Sequence, residues 1–170
     1  MDELNRKSAE EFKKASKLPV VIILDNVRSM NNVGSVFRTA DAFLLEAIYL
    51  CGVTAKPPHR DIQKTALGAT ETVNWKYFET TLEAVIAMKN EGYKAYAVEQ
   101  ADKSIMLDKL TLNSDKIALV FGNEVTGVEQ TVIDVCDACI EIPQFGTKHS
   151  LNISVSAGIV VWEVVNKLRK

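Results

Sequence analysis

The stretch VVIILDNVRSMNNVGSVFRTADAF, residues 20–43, decides the fold class of this chain. Its first six residues, 20–25, form a continuous apolar run that ends on an aspartate, as in a strand buried on both faces of a sheet. A polar loop follows, and residues 33–43 predict a helix. A buried strand that leads into a helix is typical of a parallel sheet whose strands are joined by crossover helices.

Strands and helices alternate along the rest of the chain as well. Further strands are predicted at 47–53, 73–77, 93–99, 116–122 and 139–142, and further helices at 8–17, 59–66, 81–91, 129–135 and 151–168. The predicted fold is therefore α/β, with a mostly parallel sheet and helices on both of its faces. Ligands of such sheets bind outside the carboxyl ends of the strands, so we expect the functional residues in the loops that follow them.

Composition limits the classes of protein to consider. The chain has 170 residues, of which 47% are hydrophobic and 25% charged, as in one globular domain. Three cysteines are too few for a disulfide framework, and no apolar run approaches the roughly 20 residues that span a bilayer. The charged N-terminus lacks the apolar core of a signal peptide. We therefore expect a cytoplasmic protein with reduced thiols and no membrane partner.

The net charge of −2 argues at first against a nucleic-acid partner. That sum hides an uneven distribution. Residues 1–64 carry 10 basic and 8 acidic side chains, residues 65–140 carry 6 and 12, and residues 141–170 carry 4 and 2. The segments thus have net charges of +2, −6 and +2. A local basic surface is therefore compatible with the overall net charge of −2.

The predicted helix at the C-terminal end has an unusual pattern. Its sequence ISVSAGIVVWEVV, residues 153–165, offers apolar side chains at almost every angle around the axis, whereas a surface helix shows one apolar stripe. Two arrangements would bury such a helix. Either a second subunit packs on it, or it lies at the centre of the monomer.

Several familiar motifs are absent or incomplete. The loop FGNEVTG, residues 121–127, lacks the Gly-Lys-Ser/Thr ending of a phosphate loop, and no Gly-x-Gly-x-x-Gly follows the first strand. A zinc site could be assembled from the two cysteines of CDAC, residues 136–139, with Cys51 and either His59 or His149. This set is a poor candidate, because only the Cys-x-x-Cys pair has the spacing of zinc ligands. We expect no metal and no hydrolase triad.

Three strand-end loops carry more polar residues than a turn requires. Asn32 and Arg38 follow the first strand, Glu124 follows the strand at 116–122, and Ser150 and Asn152 open the last helix. Taken singly, each fits an ordinary turn or helix cap, and Asn31 or Asn32 is a candidate cap of the helix that follows. Taken together, they are polar groups at strand ends that a parallel sheet brings to one edge.

The same loops carry a resemblance. Asn-x-Gly-x-x-x-Arg-Thr-Ala at 32–40, Phe-Gly-Asn-Glu-x-x-Gly at 121–127 and Ile-Pro-x-x-Gly-x-x-x-Ser-Leu-Asn-x-Ser at 142–154 resemble the three motifs of the SpoU (TrmH) family of SPOUT RNA methyltransferases. KTALGATETV, 64–73, is similar to the family's segment between its second and third strands. The motifs occur in the family's order, and the resemblance covers about 19–168.

The resemblance implies a division of the chain and an activity. Residues 1–18 would be an N-terminal helical extension, and residues 19–170 a SPOUT methyltransferase domain with a deep trefoil knot in its C-terminal part. The family's members methylate a ribose 2′-hydroxyl in tRNA or rRNA with S-adenosyl-L-methionine as cofactor. They are homodimers, and the helix at 151–168 would supply the interface.

The resemblance also implies roles for single residues. Arg38 would be the central catalytic residue, and Asn32 would shape its surroundings. The polar site would be completed by Glu124, Ser150 and Asn152. Cofactor contacts, largely through the backbone, would come from Glu99, Gly122, Ile142 and Leu151.

RNA binding requires a positive surface, and basic residues in or beside the strand-end loops are its candidates. They are Arg28, Lys56, Arg60, Lys64, Lys148 and His149, together with Arg38, His59 and five basic residues assigned to the N-terminal helix, Arg6, Lys7, Lys13, Lys14 and Lys17. Three other interpretations stay open: a SPOUT base methyltransferase, a non-catalytic knotted RNA-binding module, and a flavodoxin-like redox protein.

Overall fold

The computed structural model describes residues 7–148 and 150–169, and within them the chain forms seven strands and seven α-helices. The strands are β1 Leu18–Asp25, β2 Leu45–Cys51, β3 Asn74–Phe78, β4 Lys94–Val98, β5 Ile105–Met106, β6 Ile117–Phe121 and β7 Ala138–Glu141. The helices are α1 Ala9–Lys14, α2 Met30–Ala42, α3 Arg60–Ala66, α4 Ala69–Thr72, α5 Thr81–Asn90, α6 Gln130–Ile133 and α7 Ile153–Leu168.

The seven strands form one sheet in the order β3-β2-β1-β6-β4-β7-β5, and every neighbouring pair is parallel. The predicted parallel sheet is therefore confirmed. β1 lies between β2 and β6, with Ile22 level with both Ile48 and Leu119. Because all strands run the same way, the loops that follow β1, β4, β6 and β7 leave from one edge.

Both faces of the sheet are covered, as predicted. Side chains of β1 alternate between two apolar clusters, with Ile22 and Leu24 in one and Val21 and Ile23 in the other. Helices α1, α2, α3, α4 and α7 contribute to the first cluster, and α5 and α6 contribute to the second. Phe12 of α1 is buried in the first cluster, so the predicted N-terminal extension packs on the main core. The predicted boundary near residue 18 stays a prediction.

Some predicted boundaries are wrong by a few residues, for local reasons. β2 ends at Cys51 rather than at 53, because Gly52 has a φ of 61° and turns the chain. The two-residue strand β5 is an addition to the predicted elements, and it is too short to leave a sequence pattern. Neither Asn31 nor Asn32 is the cap of α2, since the Ser29 side chain accepts the Asn32 N–H at 3.3 Å and the helix begins at Met30.

The expected burial of the last helix within the monomer is confirmed for one face of α7, and cover by a second subunit stays a prediction. Six of its residues are buried in the monomer, namely Ile153, Ala157, Val160, Val161, Val164 and Val165. On the other side Val155, Ile159 and Trp162 remain 50%, 39% and 58% exposed. The helix thus has a buried face and an uncovered apolar face. Among the described residues, no helix combines the length and the apolar character needed to cross a membrane.

Candidate active site

An open cleft of about 700 Å³ lies at the carboxyl ends of three adjacent strands, β6, β4 and β7. Three parts of the chain line it: residues 98–100 at the end of β4, residues 121–128 at the end of β6 together with Gln130 and Ile133 of α6, and residues from the end of β7 to the start of α7. These segments are far apart along the chain, and the strand order alone makes them neighbours. We call this space the first cleft.

Seven of the predicted site residues line the first cleft. They are the four predicted cofactor contacts and three of the predicted catalytic residues, namely Glu99, Gly122, Ile142, Leu151, Glu124, Ser150 and Asn152. The structure thus brings the second and third sequence motifs to one place. The role of each residue stays a prediction.

The first cleft is acidic. Glu99, Glu124 and Glu141 line it, and no lysine or arginine does so within residues 7–148 and 150–169. The Glu99 carboxylate accepts the backbone N–H groups of Gln100 at 2.9 Å and Val128 at 3.1 Å. Carboxylates held at the end of a sheet favour a ligand with positive charge.

The backbone conformation of the loop after β6 depends on two of its residues, Asn123 and Gly127. Asn123 and Gly127 exchange two backbone hydrogen bonds, of 3.0 and 2.9 Å, and the Asn123 side chain accepts the N–H of Val125 at 2.8 Å. Gly127 has a φ of +71°, and a Cβ at this position would lie 2.1 Å from Oε2 of Glu99. A side chain at residue 127 would therefore force the Glu99 carboxylate to shift and would strain the backbone at this positive φ, which glycine adopts freely.

Glu124 connects this loop to the one after β1. Its carboxylate accepts the backbone N–H of Ser29 at 3.1 Å and that of Arg28 at 3.3 Å. Partial burial by itself would raise the pKa of Glu124, but hydrogen bonds from backbone N–H groups and from the Asn32 side chain outweigh it and lower the pKa below the ordinary 4.5. Glu124 is therefore a carboxylate at neutral pH, and it orients the loop that begins the first motif.

Asn32 and Asn152 join the first motif to the third. The Asn152 side chain donates to Oδ1 of Asn32 at 3.2 Å, while its own Oδ1 accepts the Ser154 N–H at 2.8 Å and caps α7. Asn32 itself lies outside the lining of the first cleft. Its side chain instead accepts a hydrogen bond from Asn152, which lines the cleft, and helps to lower the pKa of Glu124, which lines it as well.

Arg38 lies apart from the first cleft. It lines a second cleft of about 510 Å³, formed by α2, α3 and α7 and bordered by Ser35, Thr39, Ala42, Phe43, Lys64, Thr65 and Gly158. At 1.5 Å per residue, Arg38 is about 9 Å farther along the axis of α2 than Asn32. Within one chain, the structure therefore does not bring the predicted catalytic arginine to the other predicted catalytic residues.

With this geometry described, the chain can be compared with known proteins. The SpoU rRNA Methylase family matches residues 19–162. This chain belongs to that family. The predicted family is therefore confirmed.

Two curated relatives illustrate the similarity to the SpoU family. The chain is 29% identical to a tRNA (guanosine(18)-2′-O)-methyltransferase of Borreliella burgdorferi, over 89% of this chain and 68% of the relative. It is 32% identical to a 23S rRNA (guanosine-2′-O-)-methyltransferase of Neisseria meningitidis, over 87% of this chain and 58% of the relative. The chain thus spans roughly two thirds of their lengths.

Solved structures of SpoU-type enzymes share the fold. A TrmH/SpoU tRNA modifying enzyme of A. aeolicus superposes with a TM-score of 0.82 at 25% identity, covering 95% of this chain and 80% of that one. An AdoMet-bound rRNA methyltransferase of Sinorhizobium meliloti superposes with a TM-score of 0.80 at 26% identity, covering 89% of this chain and 60% of that one.

Most of the predicted RNA-binding residues of this SpoU-family chain are exposed where the structure describes them, whereas His59 and Lys17 are half-buried. The exposed ones are Arg28, Arg38, Lys56, Arg60, Lys64 and Lys148, with Lys7, Lys13 and Lys14 near the N-terminus. Lys64 lines the second cleft beside Arg38, and Nζ of Lys56 lies 4.1 Å from the ring centroid of Tyr77. His149 and Arg6 fall outside the described residues. Exposure is necessary for these residues to contact RNA, and their role stays a prediction.

Sequence reasoning missed a buried hydrogen-bonded group that supports the SpoU-type loops. Asp25, only 1% exposed, accepts hydrogen bonds from the Thr81 hydroxyl at 2.5 Å, the Asn26 side chain at 3.0 Å and the Glu129 N–H at 3.1 Å. Asn26 in turn accepts, through its backbone carbonyl, a bond from the Asn123 side chain at 2.8 Å. The signal was present, since an aspartate ends the apolar run at 20–25.

The cysteines have the environment of packing residues. Burial raises the pKa of the Cys51 thiol to about 12, and burial likewise raises that of Cys136 to about 12. Both are therefore protonated and unreactive at neutral pH. In the part of the chain that the structure describes, no group of three or more His, Cys, Asp or Glu side chains is placed to hold a metal ion.

Proposed function

We propose that this chain methylates a ribose 2′-hydroxyl of tRNA or rRNA, with S-adenosyl-L-methionine in the first cleft and the RNA backbone at the second. The expectation of an S-adenosylmethionine-dependent RNA 2′-O-methyltransferase is confirmed by the family match and by the relatives' names. The observation that carries the assignment to sites is the meeting of the family's second and third motifs in one acidic cleft.

The first cleft fits the cofactor in size and charge. About 700 Å³ is within the range of small-molecule sites, and the carboxylates of Glu99, Glu124 and Glu141 suit a cation. S-Adenosylmethionine supplies a methyl group attached to a positively charged sulfur. We assign its binding to Glu99, Gly122 and the residues at the two ends of the third motif, Ile142 and Leu151.

The role of Arg38 follows from the chemistry of arginine. A guanidinium group is not deprotonated in proteins, so Arg38 is a poor general base. It is well suited to hold an RNA phosphate and, where the second cleft of one copy meets the first cleft of another in a dimer, to stabilise the negative charge that develops on the 2′-oxygen as its proton leaves. The neighbouring Lys64 adds a second positive charge to the same cleft.

The remaining motif residues position the reacting groups. Glu124, ionised at neutral pH, holds the loop of Arg28 and Ser29 through two backbone N–H groups. Asn32 and Asn152 connect that loop to the start of α7. Ser150 presents a hydroxyl at the first cleft. Alignment of this kind supplies about 7–11 kcal/mol of barrier lowering when reactants are held in the reactive geometry.

We also propose that the protein is a homodimer through α7. Val155, Ile159 and Trp162 are spaced at i, i+4 and i+7 and form one exposed apolar stripe. Gly158 on the same helix borders the second cleft, so a second copy on this stripe would stand beside Arg38. Trp162→Glu should convert a dimer to a monomer in light scattering, and an unchanged dimer would contradict the proposed interface.

We propose two further properties because the chain belongs to the SpoU family, a knotted backbone and a location in the cytoplasm. A trefoil knot in the C-terminal part is supported by the similarity to solved SpoU structures and by the way segments after β4, β6 and β7 meet at one cleft. A cytoplasmic location is supported by three free cysteines and by an RNA substrate.

Deletion of the gene, followed by mass-spectrometric mapping of methylated nucleosides in tRNA and rRNA, tests the function. We expect one 2′-O-methyl site to disappear and to return with the wild-type gene. Loss of a methylated base instead would indicate a base methyltransferase. If no site disappears and calorimetry detects no binding of S-adenosylmethionine, the chain is a non-catalytic module.

A further inference from the structure

The two most exposed large apolar side chains among the described residues belong to loops of the same cleft. Phe145 is 97% exposed and Val125 is 87% exposed, ahead of Leu67 at 66% and Val53 at 63%. Val125 lies in the loop after β6, and Phe145 lies in the segment that joins β7 to α7. Val125 lines the first cleft and Phe145 directly follows a lining residue, Gln144, so both belong to segments that a substrate entering this cleft would meet.

A molecule held inside the first cleft would leave Phe145 uncovered. Gln144 lines the cleft, whereas Phe145, the next residue, does not. The group that covers this ring therefore approaches from outside the cleft, which is where the substrate of the proposed reaction must approach as well.

The chemistry around Phe145 favours a nucleobase. The residues 143–150 include the exposed Lys148 and no aspartate or glutamate. An aromatic ring next to a positive charge on an exposed loop is the usual means of binding unpaired bases, because every base has a flat apolar face and is joined to phosphates. The apolar stripe of α7, by contrast, begins at Val155 and continues along the helix.

We infer that Phe145 stacks on a base of the RNA substrate close to the methylated ribose, with Val125 of the loop after β6 contacting the same nucleotide. The inference rests on the proposed function. It makes Phe145 a positioning residue for RNA, distinct from the residues assigned to the cofactor.

The test compares variants of Phe145 in the full chain. The probes are total tRNA and total rRNA from a strain lacking the gene, with S-adenosylmethionine carrying a labelled methyl group. We expect Phe145→Ala to raise KM for the RNA about tenfold. Phe145→Tyr should keep KM within about twofold, and Phe145→Leu should not restore it, because only a ring can stack. Ile86→Ala, at a 44% exposed position on α5, is the matched control and should leave KM unchanged.

Two further measurements distinguish a stacking contact from a damaged cofactor site or a lost dimer. Affinity for S-adenosylmethionine by calorimetry should be unchanged in Phe145→Ala, and so should the mass in light scattering. Each of four results would overturn the inference: a lower affinity for S-adenosylmethionine, a change to monomer, an unchanged KM for the RNA, or a KM fully restored by Phe145→Leu. The wild-type chain in the same assay tests the proposed function by itself, so a failure there is distinguishable from an effect confined to Phe145.

Discussion

The two clefts differ in charge although both border on α7. The first cleft is lined by Glu99, Glu124 and Glu141 and by no basic side chain among the described residues. The second is lined by Arg38 and Lys64, and the part of the chain that the structure describes contributes no acidic side chain to it. The difference matches the two reactants of the proposed reaction, a cationic cofactor and an anionic RNA, and it explains how a chain of net charge −2 can bind RNA.

The largest expected effect tests the basic cleft. Arg38→Ala should lower methyl transfer by about 10²–10³-fold, because the developing negative charge loses its fixed positive partner. Cofactor affinity by calorimetry should stay near the wild-type value, since Arg38 does not line the first cleft. A loss of cofactor binding would contradict the assignment of the cofactor and the RNA to separate clefts. Substantial activity in Arg38→Lys would show that a planar guanidinium is not strictly required.

The next effect tests the acidic cleft. Gly127→Ala would place a Cβ 2.1 Å from Oε2 of Glu99, at a φ of +71° that alanine rarely adopts. We expect cofactor affinity to fall about tenfold, because the Glu99 carboxylate must shift from its place in the first cleft and the loop after β6 is strained. Gly92→Ala is the control, since Gly92 has a φ of +87° and nothing within 4 Å of the added Cβ. It should reduce stability slightly and leave cofactor binding intact.

A smaller effect tests how the basic cleft is built. A Cβ at Gly34 would lie 2.1 Å from the Thr65 hydroxyl and 2.2 Å from the Ile62 carbonyl, so Gly34→Ala must push α3 away from α2. We expect a loss of about 1–3 kcal/mol in the free energy of unfolding, measured by urea denaturation.

Gly158→Ala is the comparison for Gly34, because it lies on another wall of the same cleft and has nothing within 4 Å of its Cβ. It should raise stability by up to about 1 kcal/mol, since alanine favours a helix over glycine. A loss of stability comparable to that of Gly34→Ala would show that a second copy packs closely at this position.

The smallest effect concerns the connection between the two sites through Glu124. Its pKa is lowered in the folded protein, so its stabilising contribution is present above the ordinary pKa of 4.5 and is lost as pH falls through the lower folded value. Glu124→Gln should therefore cost less than about 1 kcal/mol at pH 7, because the group is largely exposed. The difference from wild type should vanish in acid denaturation below the folded pKa. A difference in stability that persists at low pH would mean that the negative charge of Glu124 is not what stabilises the folded protein.

Much of the fold could be predicted because its signals are local. The run at 20–25, the capping box formed by Ser8 and Glu11, and the apolar residues of α7 each act within a few positions of the chain. The strand β5 could not be predicted, since two residues carry no period. Asn32 has a residue type that allows it to cap a helix, but Ser29 lies three residues earlier and begins the helix first.

The sequence by itself determined the buried strands, the parallel sheet and the three motif loops, because apolar runs and residue types are properties of short segments. Only the tertiary structure decided which loops meet. Glu124 bonds to Ser29, and Asp25 bonds to both Thr81 and Glu129, through contacts that the strand order creates between distant parts of the chain. The same order, with α2 running away from the sheet edge, separates Arg38 from Asn152 and so makes two clefts of opposite charge from one set of motifs.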